Sequence, residues 1–458
     1  MDREDIQGIV ASGYKHLDYA RFVFLEIIDP VATRTWLDDI VNLVTSARHP
    51  GDNKLGTSLN VAFSSEGLEA LIPNRLKGFP HEFVRGMSTY DANRILGDSG
   101  ESAPRDWEYG APSQKPLHLL LMLYGNTNLE LQSLHRAVFD SSAFSDGMCV
   151  VAQQDSVRKH GDETEPFGFR DGISQPPVQG LLGRGEQGES PISAGEFVLG
   201  YKNELGLLAG IPSIDNWADP AGYLAEHPQY PGKCRAFGMN GTYLVFRKLL
   251  QRVDQFWGYI KDISSGPNDS ELIAAKMVGR WRSGAPLVLS PETPASEPRN
   301  DFLFTETDPD GLACPIGSHI RRAHPRDSLD MPPARSLLIS RRHRLIRRAR
   351  KFSTLIKDST KRNPKYEQGL YFIALNADLR RQYEFVQQQW INDPCFNGLD
   401  NDRDPIIGDN STLGEFTINA KPISKHLRGL PQFVILRGGG YFFLPGIRAI
   451  KFLANYQL

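Results

Sequence analysis

Cysteine is scarce in this chain and widely scattered. The 458 residues carry four cysteines, Cys149, Cys234, Cys314 and Cys395. No two of them form a C-x-x-C pair, so a zinc ribbon, a thioredoxin-like dithiol and a C-x-x-C-H attachment motif are all unsupported. Four thiols spread over such a length are no disulfide framework and predict a reducing compartment. Long apolar runs are also missing. The longest, residues 117–124, is far short of the roughly 20 residues that a membrane-spanning helix needs, which predicts no membrane association. An excess of one charge is missing too. Lys and Arg total 52 against 54 Asp and Glu, for a net charge of −2. No global field draws such a chain to nucleic acid or to an anionic membrane. The start Met-Asp-Arg-Glu-Asp lacks the basic opening and apolar core of a secretory signal, which predicts a cytoplasmic protein.

What remains is ordinary globular composition, 40% hydrophobic and 23% charged. At about 150 residues per domain, the length predicts two or three domains. Residues 21–28 (RFVFLEII) read as a strand closed by Asp29-Pro30. Trp36, Ile40, Leu43 and Val44 fall on one face of a following helix. Residues 58–63, 116–124 and 148–153 read as further strands, with a helix over 128–140. The second half begins the same way. Residues 242–246 predict a strand and 249–260 a helix with Val253, Phe256, Trp257 and Ile260 on one face. Residues 371–376 predict a strand, and 378–392 a helix capped by Asp378. Residues 433–436 and 441–444 flank Arg437-Gly-Gly-Gly440 as a hairpin, and 447–456 form a last helix. Two long stretches interrupt this order, 180–235, rich in Gly, Pro and polar residues, and 282–311, rich in Pro, Ser and Glu. The pattern predicts an α+β protein of two ferredoxin-like domains, antiparallel sheets covered by helices, with residues 1–228 in the first and 229–458 in the second.

Three segments carry candidate chemistry. Gly168-Phe-Arg-Asp-Gly172 sets an Arg-Asp pair between two glycines, a tight turn that brings backbone and a carboxylate close to something flat. The same letters also read as a plain surface turn. Residues 314–326 (CPIGSHIRRAHPR) hold His319 and His324. On a helix these lie roughly 140° apart, so they are poor co-ligands of one metal, although one of them suffices as a single axial ligand. Residues 341–351 (RRHRLIRRARK) carry seven Arg and Lys. They read as a solvated basic face or, around Leu345 and Ile346, as a buried strand with one functional arginine. Stacking aromatics are absent from this stretch, which argues against a nucleic-acid patch.

Taken together, these segments resemble the dye-decolourising peroxidase family. Gly168–Gly172 is similar to its G-x-x-D-G signature, residues 314–326 to its proximal-histidine segment, and Leu345-Ile-Arg-Arg348 to the segment of its distal arginine. Residues 86–98, 375–390 and 438–445 add to the likeness, in the same order along the chain. The resemblance implies a fold of the dimeric α+β barrel type and non-covalent haem b (iron protoporphyrin IX). It implies a peroxidase that takes hydrogen peroxide and aromatic reductants, dyes and phenolic-type donors among them, in one-electron steps. His319 is then the iron ligand, Asp171 the distal acid–base group with Gly172 beside the cofactor, and Arg347 the distal arginine. Arg326 pairs with a haem propionate, and Asp404, or alternatively Asp402, supports His319. Trp390 is the candidate for a surface electron relay, with a plain packing role as the alternative. The chain departs from the family at His324, where Asn is more usual. It also departs at Ala349-Arg350-Lys351-Phe352, where a Gly or Asn followed by Pro is usual. A haem carrier or sensor without turnover, and a cofactor-free interaction protein, are the competing expectations.

Overall fold

The structure, a computed structural model, describes residues 1–48, 55–158, 161–181, 190–356, 365–412 and 414–457. The 180–235 stretch falls partly outside these residues. Nine strands build the main sheet: β1 (Tyr19–Ile27), β2 (Thr57–Phe63), β3 (Leu119–Gly125), β4 (Met148–Val157), β5 (Thr242–Gln251), β6 (Ile346–Arg347), β7 (Arg350–Ile356), β8 (Lys365–Asn376) and β9 (Val434–Leu444). Their order is β4-β1-β3-β2-β9-β5-β8-β6, with β7 also paired to β8, and every pairing is antiparallel.

Two copies of one arrangement are visible in that order. The first half runs fourth-first-third-second as β4-β1-β3-β2, and the second repeats it as β9-β5-β8-β7. Phe63 and Phe443 pair β2 with β9 and join the halves. On the far side β4 approaches β7, where Ser156 Oγ donates to Lys351 O at 2.6 Å and Tyr371 Oη donates to Gln154 Oε1 at 2.9 Å. The sheet therefore curls into a barrel. Its interior takes alternate side chains, Ala20, Phe22 and Phe24 from β1, Leu244 and Phe246 from β5, and Ile373 and Leu375 from β8. The intervening residues Val23 and Leu25 face the helices and are also buried. Both faces are covered, so β1 reads as a continuous apolar run rather than an alternating one.

Helix α1 (Pro30–Ile40) and α2 (Asn128–Phe139) cover the first half. Asp29 caps α1, accepting the N–H groups of Val31 and Ala32, while Thr127 and Glu130 form a reciprocal capping box on α2. Trp36 and Ile40 are buried as expected, but Leu43 lies in a following 3₁₀ turn and is exposed. In the second half α3 (Val253–Ile263) and α4 (Pro267–Val278) pack on each other. Phe256 and Ile260 of α3 meet Ile273 and Met277 of α4 and the hairpin Gly414–Ile418 with Lys425–Leu430. Leu249, expected at the start of α3, belongs instead to β5.

Two further expectations are corrected. The glycine run 438–440 makes no hairpin. It lies inside the single strand β9, at a bulge between Leu436 and Gly439. A Cβ on Gly439 would sit 2.3 Å from Phe246 O, so glycine here allows one backbone to press on another. The helix expected over 378–392 exists, but it winds as two π-helical stretches, Arg380–Glu384 and Val386–Ile391. Asp378 still accepts the Arg381 N–H at 2.9 Å.

Candidate active site

A cavity of about 310 Å³ opens between the second half of the sheet and its covering elements, within the roughly 300–1,000 Å³ range of small-molecule sites. Strand residues Leu249, Leu370, Phe372, Val434 and Leu436 form one wall. Phe302, Ile320, Val386, Ile391 and Ile406 supply much of the opposite side. This lining is mostly apolar. Polar and charged side chains drawn from distant parts of the chain stand among the apolar ones.

His319 opens the short helix α5 (His319–Ala323) and faces the cavity with its side chain 29% exposed. Its Nδ1 lies 2.9 Å from Asp404 Oδ2. Asp404 is fully buried, and its Oδ1 accepts the N–H groups of Ile406 and Ile407 at 2.8 and 2.9 Å. Burial pushes the Asp404 carboxyl up, but the His319 contact and these backbone donors outweigh it and hold the pKa below the ordinary carboxylate value. Burial pushes the His319 imidazole down, yet the Asp404 charge and hydrogen bond leave it above the ordinary histidine value. Asp402, the alternative support, is turned elsewhere. Its Oδ2 accepts the Thr417 N–H at 2.7 Å and steadies the hairpin.

The Gly168–Gly172 loop reaches the same cavity. Gly168 and Gly172 have φ of +97° and +73°, left-handed backbone that glycine adopts freely. Asp171 lines the cavity, its Oδ1 accepting the Gly172 N–H at 2.5 Å. Arg347 comes from β6, paired through Ala374 to β8, and its N–H donates to Gln175 Oε1 at 3.1 Å. The charges of both Arg347 and Asp171 act on His319, so the three groups share one space.

Arg326 also lines the cavity. It holds a φ of +54°, rare for a residue with a side chain, and Ser336 and Ser340 clamp its carbonyl at 2.9 and 2.7 Å. Its guanidinium lies 4.0 Å over the Phe302 ring, and Nη1 donates to the carbonyls of Asn300 and Phe302. Arg280 and Arg344 add two more cations to the lining, and Arg344 Nη1 stands 3.0 Å from His324 Nε2. Burial first, and then this ring of arginines, drives the His324 pKa well below normal.

Trp390 is corrected. It is 4% exposed and does not stand at the surface. Its ring packs edge-on against His343 and Phe385, and its carbonyl accepts from Arg322 Nη1 at 2.6 Å. The solvated basic face expected over 341–351 is corrected as well. Arg348 donates to the carbonyls of Ile9 and Val10, Arg350 to Tyr14 O, and Arg341 pairs with Glu204. Sequence reasoning missed Arg280, Arg344 and Glu165 in the lining, as well as the buried set in which Arg247 donates to Tyr383 Oη at 2.9 Å and pairs with Asp98. No motif assigned them a place at the cavity, which the fold alone builds.

No family model matches the chain. Individual proteins do. A dye-decolourising peroxidase of Exidia glandulosa is 29% identical over 98% of this chain and 86% of its own length. Peroxidase 2 of Mycetinis scorodonius is 28% identical over the same shares. The crystal structure of a fungal peroxidase of this type from Auricularia auricula-judae superposes with a TM-score of 0.79, at 27% identity, over 99% of both chains. Over nearly its whole length the chain is similar, in sequence and in fold together, to dye-decolourising peroxidases.

Proposed function

We propose that this protein is a haem peroxidase that uses hydrogen peroxide to oxidise dyes and phenolic-type donors in one-electron steps. One observation carries the reading. An imidazole tied to a buried carboxylate shares a largely apolar cavity with a carboxylate and an arginine. These residues fit an iron porphyrin. The apolar walls suit a flat macrocycle, the cluster of Arg280, Arg326 and Arg344 suits its carboxylates, and His319 supplies one axial nitrogen. No cysteine is among the described lining residues, which favours non-covalent binding.

Haem in this site supplies an iron centre that binds peroxide and is re-reduced one electron at a time. The protein's own residues do the rest. Asp404 keeps the His319 Nδ1–H in place and leaves Nε2 as the lone pair for ligation, while its charge makes the ring a stronger donor. Asp171 takes a proton from one peroxide oxygen at Oδ2, since Oδ1 is engaged by Gly172, and returns it to the other oxygen. Arg347 stays charged and stabilises the negative charge that develops as the O–O bond breaks.

The test is an absorbance spectrum of the haem-supplied protein beside its His319→Ala variant, before and after hydrogen peroxide. A strong Soret band that shifts rapidly on adding peroxide, and is lost or altered in the variant, supports the reading. A band that stays static with peroxide marks a carrier or sensor instead. Identical spectra in the two proteins overturn the ligand assignment.

A further inference from the structure

Glu165 has no part in the chemistry above, yet it stands at the cavity wall six residues before Asp171. Its two carboxylate oxygens collect three donors. Oε1 accepts the Phe169 N–H at 2.8 Å, and Oε2 accepts the Phe167 N–H at 2.9 Å and the Gln251 side-chain amide at 2.6 Å. The two backbone N–H groups can only donate, and Gln251 approaches through its amide nitrogen, so all three contacts favour the ionised carboxylate against the burial that pushes its pKa up. A partly buried charge in a mostly apolar wall is costly unless it is fully hydrogen-bonded. An apolar side chain here would leave both loop N–H groups and the Gln251 amide without their acceptor.

The loop geometry shows what the charge does. Thr164 and Arg170 bridge antiparallel, the Asp171 N–H donates to Glu163 O at 2.8 Å, and the Gly168 N–H donates to Glu165 O at 2.8 Å. Residues 163–171 thus close into a narrow turn with the Glu165 side chain inside it. Outside the turn, Phe167 packs on Phe256 and its carbonyl accepts from Trp257 Nε1 at 3.1 Å. Phe167 and Phe169 sit between these outer contacts and the inner carboxylate. Gln251, at the end of β5, ties that carboxylate to the sheet.

We infer that Glu165 is a positioning residue that fixes the Asp171 loop to strand β5 and so sets where the Asp171 carboxylate stands over the cavity. The inference rests on the proton-transfer role proposed for Asp171. One hydrogen bond from the sheet, at Gln251, and two within the loop, rather than loop packing alone, decide the location of the acid–base group. A misplacement of about 1 Å is enough to cost roughly a hundredfold in rate.

The experiment combines hydrogen exchange with a double-mutant cycle. Glu165→Gln offers one carbonyl where two loop N–H groups need acceptors, and it turns an amide against the other. In the protein as purified, exchange of the Phe167 and Phe169 amides is expected to accelerate by about tenfold or more. In the haem-supplied protein, the peroxide-driven Soret change is expected to slow about ten- to hundredfold, with the later oxidation of a small donor unchanged. In an Asp171→Ala background the same substitution should bring no further loss, because it acts only through Asp171. Gln251→Ala, which removes the strand anchor alone, should slow the peroxide step in the same direction but by less. That variant keeps the inference testable if Glu165→Gln does not fold. Unchanged amide exchange, or losses that multiply in the double variant, overturn the Glu165 role alone. A loss in Glu165→Gln with none in Asp171→Ala overturns the Asp171 reading together with it.

Discussion

The two halves of the barrel share a strand order and differ in what lies on their outer face. In the first half, α1 lays Trp36, Leu37 and Ile40 directly on the sheet, and Trp36 Nε1 donates to Val138 O at 2.7 Å, locking α1 to α2. Nothing but side chains fills that space. In the second half, α3 buries Phe256 and Ile260 largely against α4 and a hairpin, with Leu249 and Val434 as the main-sheet members of that cluster. The place corresponding to α2 is taken by the π-wound stretch 380–391. Between this layer and the sheet lies the cavity, into which β5 sends Arg247, Leu249 and Gln251. Moving one helix off the sheet turns a packed layer into a site. Among the described residues the cavity lies against the second half of the sheet alone, and the first half of the chain contributes the Asp171 loop to it.

That contrast can be broken from either side. The largest effect belongs to His319→Ala, which should abolish the native Soret band of the haem-supplied protein while the melting temperature of the haem-free protein stays close to that of the parent. Next, Asp171→Ala should slow the peroxide step by about 10²–10⁴-fold without loss of haem, read by stopped-flow absorbance. On the packed side, Trp36→Ala should cost about 3–5 kcal/mol in denaturant unfolding, because it leaves a void and an unpaired Val138 carbonyl, and the haem spectrum should keep its shape.

The two sides should also respond differently to acid. His343 lines the cavity with its pKa pushed down to about 4, by burial first and by the nearby Arg381 and Arg342 charges. The fold therefore prefers the neutral ring, while the unfolded chain takes up a proton near the ordinary value of about 6.5. This contribution to stability is present above pH 6.5 and is lost as the pH falls toward 4. In His343→Phe the fall of stability over that window should flatten, as followed by thermal unfolding at several pH values. Smallest of all, Thr127→Ala removes the capping box of α2 and should cost about 1 kcal/mol with no change in haem binding.

Much of the site was legible because its residues sit in local patterns. Two glycines around Arg170-Asp171 marked a turn before any partner was known, and His319 lay in a segment with its own signature. Asp404 was distinguishable from Asp402 only in three dimensions, since two residues of spacing send the carboxylates to His319 and to Thr417 respectively. The strands of both halves were visible as β-rich runs. Their order was not, because pairing between β2 and β9 depends on contacts across nearly the whole chain.

The misreadings share a cause. A run of glycines usually means a turn, but here it serves the close approach of β9 to β5. A run of arginines usually means solvent, but the carbonyls of Ile9, Val10 and Tyr14 draw Arg348 and Arg350 inward. In a regular helix Trp390 would share a face with Tyr383 and Val386. The π winding leaves those two lining the cavity while Trp390 packs against His343 and Phe385. The sequence by itself determined most of the strands and the strand-helix rhythm of each half, because backbone propensity is a local property, and its resemblance to a family singled out His319, Asp171 and Arg347 as candidates. Only the tertiary structure decided that one sheet face is filled and the other left open, and which distant groups hold the Asp171 loop, because packing and hydrogen-bond satisfaction are settled between segments that the chain keeps far apart.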